Sequence, residues 1–267
     1  MRIEKSTPEI EGKWLWGPVA RKIARVNECT VALAIFAVDD ASTGRRIMID
    51  VGAHHGSSLG RFASQGWTVI AFEPDMANRE RLLSTLEVDW VVTVDARALG
   101  NHADTDVSFF RSDVSTGISG LTAFHETHVF AHMVEVTTLE TALVEYGITH
   151  VDFLKIDTEG HDLKVMQGYP WQCDLPTVIV CEFDDVKVET GSATRQAELL
   201  YQLGYNLFVS EWHPVVQYGI PHDFRGIWAY ESDDQITSEN WGNLIAVRPH
   251  LVNAVGPAVR SAIQMLT

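Results

Sequence analysis

The chain has 267 residues, 46% of them apolar, which is enough for one large α/β domain with additions and a full core without disulfides. A net charge of −16 repels phosphate backbones and argues against nucleic acid as substrate. Cys29, Cys173 and Cys181 are odd in number and lack C-x-x-C spacing, a pattern that reads as reduced thiols in a cytoplasmic protein and argues against a zinc cluster.

The opening MRIEKSTPEIEGKW carries acids and no apolar run, so it does not read as a secretory leader. The run from Val31 to Val38 is too short to span a bilayer. Residues 1–45 read as a helical preface, with helices around Pro18 to Val38, whose simplest role is packing. From residue 47 strands and helices alternate. Strands are predicted at 47–51, 67–72 and 90–95, with helices at 57–65 and 76–86. Residues 96–140 break the rhythm and read as an insert. It holds strands at 106–111 and 133–137, a Ser/Gly-rich loop at 112–120, and His125, His128 and His132 at spacings that fit one helix face. Irregular inserts of this kind often carry substrate contacts. Regular structure then resumes. A helix covers 138–146, a buried strand and its exit loop 151–160, and a short helix runs to Gln167. A strand at 177–183, a helix at 193–203, strands at 205–211 and 243–247, and a closing helix at 251–267 complete the chain. The domain spans 46–250, with about seven strands in its main sheet. Strands this apolar on both faces belong to a parallel sheet covered by helices.

Residues 47–75, IMIDVGAHHGSSLGRFASQGWTVIAFEPD, run strand, glycine loop, helix, strand, acid. This is the layout of a nucleotide site on a parallel sheet. The first glycine turns the chain off its strand and lets a ligand approach the backbone. The helix start supplies free N–H groups. Glu73, closing the second strand, can accept both hydroxyls of a ribose. His54 stands where the dinucleotide pattern G-x-G-x-x-G has its middle glycine, which weakens the case for NAD and favours a nucleoside without phosphate, such as S-adenosylmethionine (SAM).

Together with VDFLKIDTEGHDLKVMQG at 151–168, this stretch resembles the FkbM-type SAM-dependent methyltransferases, over about residues 47–185 and more weakly to 247. KIDTEGHDLKVMQG (155–168) is the more specific motif. EWHPVVQYGIPHDFRG (211–226) with WGNLIAV (241–247) looks like a subgroup from bacterial surface-glycan and secondary-metabolite clusters. The resemblance implies a seven-stranded class I methyltransferase sheet, Rossmann-like, with helices on both faces and a final antiparallel strand. It also implies O-methylation of a hydroxyl on a sugar, a glycolipid or a polyketide-type metabolite, without identifying the acceptor.

On that basis Asp50, Gly52, Ala53 and His54 line the methionine end of the cofactor, and Gly56 starts the helix. Glu73 takes the ribose, with Pro74 and Asp75 shaping the loop, and the exit of the third strand, Asp95 to Ala98, lies where such folds place the adenine, with Asp95 and Ala96 as its named contacts. Asp95 has an alternative as a surface residue. Asp157, at the exit of the fourth strand, holds the SAM ammonium or orients the acceptor; its alternative is an N-cap of the helix that follows. An alcohol must lose a proton during transfer, and His161 is the first candidate base, ahead of His54 and His55 in the glycine loop. In a metal-assisted variant, Asp157 with Glu182 or Asp184 would hold a hard cation such as Mg²⁺. Ser115, Ser119 and Phe124 of the insert, and Trp212, His213 and His222 further on, are the candidate acceptor contacts. Two rivals stay open: a non-catalytic module of the same fold that binds SAM or a glycan, and an NAD-linked oxidoreductase.

Overall fold

The computed structural model describes residues 14–16, 24–39, 44–184, 192–215, 222–231 and 241–265. In chain order, β1 (Trp14–Trp16), β2 (Ala24–Arg25) and α1 (Glu28–Phe36) precede β3 (Ile47–Val51), α2 (Gly60–Ala63), β4 (Thr68–Phe72), α3 (Met76–Thr85) and β5 (Val91–Asp95). Next come β6 (Ala98–Leu99), β7 (Asp104–Ser112), β8 (His128–Thr137), α4 (Leu139–Glu145), β9 (Phe153–Ile156), α5 (Asp162–Gln167) and β10 (Val178–Asp184). The rest is α6 (Ser192–Gln202), β11 (Asn206–Trp212), β12 (Phe224–Ala229), β13 (Trp241–Val247), α7 (Val252–Ala262) and β14 (Gln264–Met265). The chain divides into two compact units, 42–182 and the combination of 1–41 with 183–267.

The unit spanning 42–182 is a parallel α/β layer. Its strands lie in the order β10-β9-β3-β4-β5, every pair parallel. The strands are apolar on both faces because helices cover both. Met48, Ile49, Val69, Phe72, Phe153, Leu154 and Ile156 are fully buried, and each such side chain contributes about 1.5–3 kcal/mol on leaving water. Phe62 stacks on Phe153 across a helix–sheet contact, with centroids 4.8 Å apart. The insert folds on itself as a three-stranded sheet, β6-β8-β7, over a small core of Ala98, Phe109, Val134 and Val136.

In the other unit β1, β12, β11 and β13 form an antiparallel ladder in that order, so the final strand of the domain is antiparallel to β11, as the resemblance implied. The unit packs α1 against α7.

The α/β class and mostly parallel sheet agree with the sequence reading, and several local readings are corrected. The first helix after the glycine loop is one turn, Gly60–Ala63, in place of 57–65; residues 57–59 are turns, and no side chain caps the helix. The stretch from His128 is strand, because VFAHMVEV pairs antiparallel with β7, so the three histidines share no helix face. The preface contains strands β1 and β2 beside its one described helix. The closing helix ends at Ala262 and gives way to β14, which pairs with β2. Strand β12 was missed, because its aromatic and charged residues resemble a loop around Pro214 and Pro221; Pro221 itself lies outside the described residues. None of the described helices is long and apolar enough to cross a membrane.

Candidate active site

Strand order reverses at β3. From it the chain moves outward through β4 and β5, while β9 and β10 lie on its other side. The carboxyl ends of β3 and β9 therefore flank a switch point, where open α/β sheets bind ligands. Val51 leads into Gly52 there and Ile156 into Asp157, and Asp157 N–H donates to Val51 O (3.0 Å). Gly52 has φ +77, and a Cβ on it would lie 1.8 Å from Asp157 O. Neither a side chain nor an ordinary backbone conformation fits. The N–H groups of Gly52 and Ala53 both donate to Phe72 O (3.0 and 3.1 Å), which folds the loop onto the end of β4.

A cleft enclosing about 870 Å³, open solvent at its mouth included, lies over this edge. Its lining includes Gly52, Ala53, His54, Glu73, Pro74 and Asp157 among the sequence-predicted cofactor residues. His161 and Ser119 line it as well.

Asp50 is completely buried below the cleft. Lys155, its cross-strand neighbour on β9, places Nζ 3.3 Å from Asp50 Oδ1 and 3.3 Å from Asp157 Oδ2. Burial pushes the Asp50 carboxyl up, and the Lys155 ammonium pulls it back down. Glu73 is also buried, which raises its carboxyl to about 7 against the opposing N–H groups of Asp75 and His54. Its Oε2 accepts from His54 N–H (2.7 Å) and its Oε1 from Asp75 N–H (2.9 Å). Asp75 also caps α3 by accepting from Asn78 N–H (2.8 Å).

Beyond β9 the loop turns through Glu159 (φ 55) and Gly160 (φ 95). Asp162 holds this shape, accepting from the N–H groups of Thr158 and Gly160, both at 3.0 Å. One carboxylate oxygen from each of Asp157, Glu159 and Glu182 then lies within 4.8 Å of the others. The expected metal set therefore gains Glu159, while Asp184, buried at the end of β10, is not part of it. The N-cap of α5 is His161, so the alternative role of Asp157 as that cap does not hold. Burial, reinforced by Lys164 and His102, lowers His161 to about 4 and leaves its imidazole neutral near pH 7.

The remaining candidates are spread out. Gly56 (φ 81) closes the glycine turn by donating to Ala53 O (2.8 Å). Asp95 is neither on the surface nor among the cleft-lining residues. Both its oxygens receive Arg97, and Tyr146 O–H donates to Oδ2 (2.9 Å). Ala96 is exposed, while Arg97 and Ala98 of the same strand exit line the cleft, together with Leu99. In the insert, Thr116, Gly117, Ser119 and Gly120 reach the cleft, whereas Phe124 packs edge-on against His128, and Ser115 begins the turn at Thr116–Ile118. Trp212, His213 and His222 belong to the other unit. Trp212 stacks on Trp241 (5.5 Å), the Trp241 indole donates to His213 O (2.9 Å), and His222 meets the Trp241 ring at 5.0 Å.

Sequence reasoning assigned no role to Lys155 or Asp162. The signal for Lys155 was a lone basic residue inside the apolar strand FLKI, where burial calls for a counter-charge.

The family model described as Methyltransferase FkbM domain matches residues 50–207, which covers the glycine loop, Glu73, Asp157 and the insert. The chain belongs to the FkbM methyltransferase family. No curated protein matches the chain. Among solved structures, this FkbM methyltransferase is similar to a precorrin-6y C5,15-methyltransferase from Geobacter metallireducens (14% identity, TM-score 0.42, 82% of this chain and 87% of that one). It is also similar to an O-methyltransferase from Bacillus cereus in complex with SAH (13%, 0.43, 84% and 83%). An rRNA methylase from Streptococcus thermophilus matches at 10% identity and TM-score 0.39, over 78% of this chain and 98% of that one.

Proposed function

We propose that this FkbM methyltransferase uses SAM to methylate a hydroxyl of a sugar, a glycolipid or a polyketide-type metabolite. The observation that carries the SAM reading is the packing of Gly52 against the Asp157 backbone at the switch point, with Glu73 facing the same cleft. The residues fit the cofactor. Gly52, Gly117 and Gly120 leave backbone open to the cleft, and the buried Thr158 hydroxyl beside it has no hydrogen-bond partner among the described residues. SAM, when bound, supplies a sulfonium methyl group and leaves as a neutral thioether.

The chain's own residues then have separable tasks. Glu73 and Pro74 hold the ribose. Asp50, Gly52, Ala53 and His54 shape the methionine end, Gly56 closes the turn, and Asp157 offers its carboxylate to the ammonium. Ala98 and Leu99 border the adenine end in place of Asp95 and Ala96. Ser119 belongs to the acceptor wall, and Trp212, His213 and His222 form a second aromatic–polar group suited to sugar rings. Because the leaving group is good, holding the hydroxyl in line supplies most of the rate. His161, kept neutral by burial, accepts the hydroxyl proton as the bond to carbon forms.

A second reading of proton removal is favoured by the meeting of Asp157, Glu159 and Glu182. A hard divalent cation such as Mg²⁺ suits three carboxylate oxygens and would acidify the hydroxyl. The dispersed negative charge favours a small-molecule acceptor over nucleic acid, and the thiol pattern favours the cytoplasm.

Calorimetric titration with SAM, SAH and NAD tests the cofactor assignment. Micromolar SAM and SAH binding with no response to NAD is expected, and a Glu73→Ala variant that binds SAM like the parent would sink the ribose assignment. Transfer to hydroxyl-bearing acceptors, with Mg²⁺ and with a chelator, separates the base from the metal. Methyl transfer that survives chelation and collapses in His161→Ala supports the base.

A further inference from the structure

The cleft wall at residues 112–121 is tied down at its base. Phe110 and Gly120 exchange two backbone hydrogen bonds (2.9 and 3.0 Å). Ser112 N–H donates to Ser119 Oγ (3.4 Å), and His128 Nε2 lies 3.0 Å from Ile118 O. The tip of the wall reaches across to the glycine loop, where Thr116 Oγ1 lies 2.8 Å from His54 Nε2. Both residues line the cleft.

His54 is bound in the opposite direction too. Its backbone N–H donates to Glu73 Oε2 (2.7 Å). Its ring stacks on His55 at 3.6 Å, His55 Nε2 lies 3.2 Å from Asn78 Oδ1, and Asn78 Nδ2 donates to Glu73 Oε1 (3.5 Å). The carboxylate assigned to the ribose is thus gripped on both oxygens by groups that lead to the wall. His54 has φ +48, a left-handed conformation that a non-glycine residue keeps only where its surroundings constrain it. A ligand that engages Glu73 would steady the His54 backbone bound to it, and with it the ring that holds Thr116.

We propose that His54 is a positioning residue that couples occupancy at Glu73 to placement of the acceptor wall through Thr116, so that the cofactor binds first and the wall settles second. This rests on the SAM-dependent reading given above. The link is one neutral hydrogen bond, so the coupling is about three- to tenfold in an equilibrium.

Hydrogen–deuterium exchange over residues 112–121 of the full chain, with and without saturating SAH, tests it. In the parent, SAH slows exchange there by about three- to tenfold. Thr116→Ser, which keeps the hydroxyl, retains this protection. Thr116→Val loses it, while its SAH affinity by calorimetry falls by no more than the same factor, about tenfold. Equal protection in the Val variant overturns the proposal, as does a parent that binds SAH without protecting the wall. Loss of SAH binding in the Val variant also overturns it, since Thr116 would then be a cofactor contact. A folded parent that fails to bind SAH overturns the cofactor reading and the coupling together.

Discussion

Gly52 and the carbonyl of Asp157 are so close that a single added carbon would lie 1.8 Å from the oxygen. The pair joins the exits of two adjacent strands and sets the floor of the cleft. A Gly52→Ala variant must move backbone and must also hold alanine at φ +77. The left-handed conformation alone costs about 1–2 kcal/mol, and displacement of Asp157 adds to that. Gly66 is the control, with φ +81 and open space around it. Gly66→Ala should lower stability by about 1–2 kcal/mol and leave SAH affinity unchanged. Gly52→Ala should abolish SAH binding. Calorimetry and thermal melts decide the matter, and equal affinities for the two variants would refute the assignment of the cleft floor.

Lys155 stands between Asp50 and Asp157, 3.3 Å from each. Removing one partner of a buried ion pair costs about 3–5 kcal/mol, because the other charge is left stranded. Lys155→Met should therefore be strongly destabilising. Adding Asp50→Asn should recover much of the loss, since the stranded charge is then gone. Denaturant melts of the two single variants and the double variant measure this, and additive losses would contradict it.

Glu73 carries a pH signature. Its carboxyl is raised from 4.5 to about 7 by burial. A raised acid favours the protonated folded state, so this contribution is fully present below about pH 4.5 and is lost as pH rises through about 7. Without ligand, Glu73→Gln should gain stability over the parent between those limits, by on the order of a few kcal/mol at pH 8. Parallel melting curves against pH for the two proteins would count against the shift.

Asp162 accepts from two backbone N–H groups of the loop that carries Asp157 and Glu159. Asp162→Ala should cost about 1–3 kcal/mol and weaken SAH binding. Asp162→Asn keeps one acceptor oxygen and should fall between the parent and the alanine variant. An alanine variant with full SAH affinity would show that the loop holds its shape unaided.

Much of the site was legible along the chain because its parts are local. The run IMIDV, the turn at Gly52 and the acid after TVIAF are short-range features. Strand and turn propensities specify them wherever the sheet lies. Asp157 was legible for the same reason, as an acid closing an apolar run. The insert was legible as irregular but not as a β-ribbon, because histidines spaced by three and four imitate a helix face until β7 is known to pair with β8. The reach of Asp95 was misjudged, because Arg97 and Tyr146, which claim its oxygens, lie two and 51 residues away.

The sequence by itself determined the α/β class, the glycine loop and the acids at the strand exits, since apolar period and turn chemistry act over a few residues. Only the tertiary structure decided which charges meet. Pairing β3 with β9 puts Lys155 beside Asp50, 105 positions apart, and the fold of the loop after β9 brings Glu159 to Asp157 and Glu182. Register between distant strands is set by packing of the whole sheet, so no local pattern could announce these contacts.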